Sequence, residues 1–189
     1  MRKKSDSLFT GLLLIFFVIP VINVSVKAQD DKKDHSSANI EVKNIEGQKA
    51  LVLKADIPTS EIGQKMGEMY KQIFEHMGAN SIDPAGPPFA VYYEFDPEGN
   101  TVFEAGVPVG KEVEGAEDME YKEYPDIKVV TTLYKGPYEK MEKVYTDLEQ
   151  YITDNNHKKL GPVWEVYLTD PQQEEDPNNN QTIIYYQVE

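Results

Sequence analysis

Trp164-Glu165-Val166-Tyr167 lies 75 positions after Phe89-Ala90-Val91-Tyr92, so an acidic side chain in one segment matches an alanine in the other. A carboxylate among tyrosines can hold a cation by charge, and each aromatic face adds cation–π attraction of about 0.5 to 2 kcal/mol. Desolvation between rings raises a carboxyl pKa, a property shared by binding carboxylates and general bases. Glu165 is therefore the candidate ligand anchor, with Tyr167 and Tyr92 as candidate walls, although both tyrosines also suit an ordinary half-buried strand. Tyr185 and Tyr186 are adjacent, so only one of them can point into the same cleft, and periodicity does not choose between them. Tyr138 stands where it can reach the cleft rim or serve a helix entrance. Tyr70 and Tyr145 fall on helical apolar stripes and are expected in the core, as is Trp164.

Other chemistry is thin. His35, His76 and His157 form no paired spacing, and no Gly-x-Ser-x-Gly elbow occurs. Glu174-Glu175-Asp176 lacks the spacing of a calcium loop and reads as a solvated hairpin loop. With no cysteine in the chain, disulfides, thiolate metal sites and cysteine nucleophiles are excluded. No metal or cofactor is expected.

The elements that must position Glu165 repeat as well. Ile62, Met66, Met69, Tyr70, Ile73 and Met77 recur at helical spacing, with Thr59 or Ser60 as the expected N-cap. Met141, Val144, Tyr145, Leu148 and Ile152 repeat the last five of these 75 residues later, in the same register as the strands. Gly86-Pro87 and Gly161-Pro162 open those strands, while Asp96-Pro97 and Asp170-Pro171 follow them. Strands are also expected over Gln48 to Ala55, Thr101 to Val109, Ile127 to Tyr134 and Thr182 to Val188, with Lys111 to Asp126 as an acidic connection. The pattern predicts an α+β fold: two strand-helix-strand-strand units, internally duplicated, forming one antiparallel sheet with both helices on one face. Side-chain alternation groups Trp164, Val166 and Leu168 on one face, expected under the helices. Glu165, Tyr167 and Tyr92 would then line an open cleft on the other face, between the halves.

The N-terminus has a basic head at Arg2-Lys3-Lys4, an apolar stretch from Leu8 to Val26 and small residues ending at Ala28, which reads as a signal peptide over residues 1–28. An uncleaved membrane anchor is the alternative, since the stretch approaches spanning length. Residues 29–42 are polar and read as a flexible tether. Residues 43–189 form a single domain, with halves at about 43–110 and 120–189. Excluding residues 1–28 leaves 15 basic and 32 acidic residues, near −17. Such a surface disfavours nucleic acid and anionic lipid as partners and favours cationic ligands or plain solubility.

Tyr134-Lys135-Gly136-Pro137-Tyr138, the helix through Tyr145 and Leu148, Leu160-Gly161-Pro162 and Glu165-Val166-Tyr167-Leu168-Thr169-Asp170-Pro171 resemble the GyrI-like (gyrase-inhibitor-like) effector-binding domains, as in multidrug-sensing bacterial transcription activators. The resemblance covers about residues 42–189 and is strongest after residue 128. It implies a central cleft in which the family's Glu, here Glu165, meets cationic or polarised lipophilic ligands among aromatic rings. A signal peptide stands where a helix-turn-helix would precede such a domain, so the expected role is an exported, periplasmic or extracellular binding protein for a small organic ligand. Two alternatives stay open. A hydrolase of reactive electrophiles would use Glu165 as general base, and an interaction protein would bind a polypeptide on its open sheet face.

Overall fold

The computed structural model describes residues 39–189 other than 172, so the expected signal segment and residues 29–38 of the expected tether lie outside the described residues. The elements run β1 (Glu41–Ile45), β2 (Gln48–Pro58), α1 (Ile62–Ala79), β3 (Phe89–Phe95), β4 (Asn100–Pro108), β5 (Met119–Tyr124), β6 (Ile127–Lys135), α2 (Glu142–Asp154), β7 (Lys159–Tyr167) and β8 (Gln181–Val188). The eight strands make one antiparallel sheet in the order β1-β6-β8-β7-β3-β4-β2-β5. The α+β class and the antiparallel sheet with two helices agree with the sequence. At the middle, β3 and β7 pair so that Ala90 and Glu165 are direct cross-strand partners.

Two elements exceed their sequence signal. Glu41 and Val42, expected in the tether, belong to β1, where Val42 sits opposite Val130 and packs on the core beneath α2. Within the expected acidic connection, Met119–Tyr124 pairs with β2 as an edge strand, its alternation hidden by Glu120, Lys122 and Glu123. The expected N-cap is also corrected. Thr59 opens a short 3₁₀ turn ahead of α1, and its hydroxyl donates to the Asp96 carbonyl at 2.5 Å, tying the helix start to the β3–β4 turn.

Three apolar clusters hold the sheet. Leu51, Leu53, Phe103 and Ala105 pack against Met69, Ile73 and Met77 of α1. Val130, Ile184 and Tyr186 pack against Val144, Leu148 and Ile152 of α2. Burying such side chains contributes about 1.5 to 3 kcal/mol each, which is what seats both helices on the sheet. The third cluster contains no helical residue: Ala50, Val52, Phe89, Val91, Val129, Trp164 and Tyr185 occupy the opposite face.

That helix-free face is curled rather than flat. Strands β5 and β7 are four places apart in the sheet, a spacing of about 19 Å if it were flat. Yet the Tyr124 and Trp164 rings are 4.8 Å apart, and Phe89 stacks on Trp164 at 5.3 Å. The curl lets aromatic side chains close their own core without a helix.

The face expected for the site is therefore corrected. Trp164 and Val166 fill the curled, helix-free face, while Glu165, Tyr167 and Tyr92 point toward the helices. An apolar strand face needs cover, and here the curled sheet supplies it. Alternation identifies the two sets of side chains but not which set meets a helix.

Candidate functional site

Glu165 is 7% exposed, beneath both helices at the β3–β7 seam. The Tyr145 hydroxyl, from α2, donates to Glu165 Oε1. The Tyr167 hydroxyl donates to Oε2 at 2.6 Å, and Tyr92 and Tyr167 join their hydroxyls at 3.2 Å. Around them Tyr138 and Tyr70 stand edge-on to the Tyr167 ring, at 6.0 and 6.3 Å between centroids. The result is a box of five tyrosines with one carboxylate at its floor.

Matching spacing in the two halves accounts for the box, and one unmatched position for its asymmetry. Tyr70 and Tyr145 hold matching positions on α1 and α2, and Tyr92 and Tyr167 on β3 and β7. On the α2 side the helical tyrosine meets Glu165. On the α1 side the matching residue is Ala90, and Tyr70 instead donates to the Phe89 carbonyl at 2.8 Å.

Burial pushes the Glu165 carboxyl above its ordinary pKa, against the opposing pull of the Tyr145, Tyr167 and Tyr92 hydroxyls. Burial and the Glu165 charge push the Tyr145 and Tyr167 phenols well above the ordinary value, so both stay protonated and act as donors. Among the described residues no lysine, arginine or histidine forms an ion pair with Glu165. A buried carboxylate satisfied by hydroxyls but not by charge favours a cation brought from outside.

The structure brings Glu165, Tyr167, Tyr92 and Tyr138 together. Tyr186 lies on the same face, but its hydroxyl donates to Glu149 Oε1 at 3.2 Å and its ring lies under Lys159 Nζ at 5.0 Å. Tyr185 turns the other way and stacks on Trp164 at 5.5 Å, within the helix-free core. Tyr70 and Tyr145 are the residues that sequence reasoning left in the core. Their matched positions in the two halves were the available signal, because side chains equivalent about the β3–β7 seam converge on it. A surface groove of about 470 Å³ reaches Phe89 and Val166 and is thus on the helix-free side, away from Glu165. Among the described residues no cluster of His, Asp and Glu could hold a metal ion.

The chain matches the model of the GyrI-like small molecule binding domain over residues 38–189. No curated protein matches it by sequence. Among solved structures it resembles EcmrR: the C-terminal domain superposes with TM-score 0.69 at 22% identity, over 80% of this chain and 97% of that one. EcmrR in its complex with DNA gives 0.72 at 22% identity, over 80% of this chain and 57% of that one. The chain thus spans little more than half of that EcmrR chain. A hydrolase from Listeria innocua gives 0.61 at 10% identity, over 84% of this chain and 95% of that one. SAV2435, in a structure bound to tetraphenylphosphonium, gives 0.52 at 13% identity, over 80% and 94%.

At these identities the likeness establishes the fold. It also corrects the exclusion of nucleic acid as a partner, because EcmrR carries this fold within a DNA complex. Net charge describes a chain's own surface, and association with DNA belongs to the whole assembly in which such a domain sits.

Proposed function

The chain belongs to the GyrI-like family of small-molecule-binding domains, and from that premise we propose that it holds a cationic or amphipathic organic molecule at Glu165. The observation that carries the reading is a carboxylate 7% exposed, surrounded by tyrosines and lacking an ion-pair partner among the described residues. Binding turns the Tyr92, Tyr145 and Tyr167 hydroxyls aside, so that the ligand's charge replaces them at Glu165 and the rings flank it by cation–π contact. SAV2435, which shares the fold, has been captured with tetraphenylphosphonium, a lipophilic cation of this chemistry. Residues 1–28 fit export, which N-terminal sequencing of protein recovered from the cell envelope and medium would test.

Calorimetry with tetraphenylphosphonium decides the binding reading. Wild type should bind and Glu165→Gln should lose about 2 kcal/mol or more, some 30-fold. Equal affinities would end the case for Glu165, and no binding across a panel of lipophilic cations would end the cation reading. A second reading, hydrolysis of an already reactive electrophile, is favoured by the raised pKa of Glu165 beside phenol donors. Glu165 would take a proton from water and a tyrosine would donate to the developing oxyanion. Mass-spectrometric turnover at equal rates in wild type and Glu165→Gln would refute it.

A further inference from the structure

The sheet ends in two edge strands, β1 and β5, which differ in charge. On β1, Lys43 Nζ meets Glu41 Oε1 at 2.9 Å, so that edge is balanced. Among the described residues β5 pairs with β2 and has no strand on its other side. The outer row of N–H and C=O groups on such a strand is a template for another chain, and proteins commonly blunt it with lysine or proline. Here the blunting residues are acids, which repel a second copy but not a basic partner.

The hydrogen bonds of Met119 show which backbone groups are open. Its N–H donates to the Ala116 carbonyl at 3.0 Å and its carbonyl accepts from Ala116 N at 3.1 Å, so both point away from β2. Alternation along an antiparallel strand then turns the N–H and C=O of Tyr121 and Glu123 outward, and those of Glu120 and Lys122 toward β2. The turn at Ala116 closes the edge at Met119, and Pro125, without an N–H, follows Tyr124. The open edge thus runs from Glu120 to Tyr124, long enough for a strand of about five residues.

Charge selects the partner. Glu117, Asp118, Glu120 and Glu123 are exposed along this edge, and Glu112 acts on Tyr121 from the preceding loop. Lys122, the cation of β5, is held by Glu104 at 2.7 Å. Lys49 reaches Glu123 at 3.8 Å, but both side chains are exposed and such a pair contributes little. Two β5 strands side by side would set these acids against each other, which is destabilising. We propose that β5 is a docking edge for an extended basic peptide, which adds to the sheet antiparallel to β5 through the backbone of Tyr121 and Glu123. The favoured peptide has a lysine opposite Glu123 and another opposite Glu120, with a β-branched residue opposite Tyr121 between them. Tyr121 and Glu123 share one face and Glu120 the other, so the two lysines fall on opposite faces of the added strand. This edge is independent of the Glu165 reading.

The test titrates isotope-labelled protein with the peptide acetyl-Thr-Lys-Thr-Val-Lys-amide and follows backbone amide shifts by NMR. Shifts should centre on Tyr121 and Glu123. The same peptide with glutamates for its lysines should bind about tenfold more weakly or worse. A third peptide, N-methylated at its first lysine and at its valine, keeps the charge but cannot donate to the Glu123 and Tyr121 carbonyls, and it should also lose about tenfold. Glu120→Lys combined with Glu123→Lys should reverse the preference between the lysine and glutamate peptides, and Glu120→Lys alone serves if the double variant fails to fold. No shift at Tyr121 and Glu123 with millimolar lysine peptide, shifts centred on β1, or equal binding of the N-methylated peptide overturns the docking edge. Equal binding of the glutamate peptide, or a preference unchanged in the lysine variants, overturns the basic partner.

Discussion

Two glutamates, Glu165 and Glu104, are each 7% exposed in the sheet and each ringed by tyrosine hydroxyls, yet they face opposite sides and are charged on opposite terms. Glu104 lies on the helix-free face, where Tyr93 and Tyr124 each donate to Oε2 at 2.8 Å and Lys122 Nζ pairs with it at 2.7 Å. Burial works against its charge, but the Lys122 ammonium and the two phenols more than offset this and hold the carboxyl below its ordinary pKa. Glu165 has the hydroxyls and the burial without the ammonium, and its carboxyl sits above the ordinary value. Tyrosine hydroxyls can orient a buried carboxylate but do not neutralise it. Glu104 is a closed ion pair that ties β5 to β4, whereas Glu165 forms no ion pair among the described residues.

The sharpest way to break this contrast is to exchange each acid for its amide. Glu165→Gln should cost about 2 kcal/mol or more of cation affinity, whereas Glu104→Gln should leave affinity within about twofold, by calorimetry. If the two variants lose binding equally, the contrast fails.

Stability should show the reverse ranking. Lys122→Met leaves Glu104 buried without its cation and should destabilise by about 2 kcal/mol in denaturant melts, below the usual cost for a deeply buried pair because Lys122 is a third exposed. Glu165→Gln should leave the ligand-free protein as stable as wild type or slightly more so at neutral pH.

The pH slopes should differ in sign. The raised pKa of Glu165 means its stabilising contribution is complete below the ordinary carboxylate value and is lost as pH rises through the folded-state pKa. The lowered pKa of Glu104 means its contribution is present above the ordinary value and is lost as pH falls through the folded-state pKa. Stability against pH for wild type and the two amide variants would separate these slopes, and cation affinity should rise with pH as Glu165 ionises. The smallest expected effect is that of Tyr145→Phe. Removing a donor that the ligand displaces should raise the Glu165 pKa further and move the midpoint of the affinity profile to higher pH, while binding at pH 7 is no weaker than in wild type.

Much of the fold was readable because its residue pattern recurs at a spacing of 75 residues. Helical stripes in α1 and α2 and the alternating β3 and β7 were visible as patterns, and the offset between them singled out Glu165 against Ala90. The edge strands β1 and β5 were hidden, since short charged strands gain their stability from a neighbour and carry little pattern of their own. Tyr70 and Tyr145 were visible as apolar stripe members but not as donors, because their role depends on what stands opposite them across the sheet.

By itself the sequence determined the two units, the alternation that separates Glu165 and Tyr167 from Trp164 and Val166, and the single acid that breaks the repeat. Those are local properties of residue type and spacing. Only the tertiary structure decided which face meets the helices, because the curl that brings Tyr124 onto Trp164 closes one face without them. The same long-range packing decided that Glu104 would find Lys122 and that Glu165, among the described residues, would find tyrosine hydroxyls and no ammonium.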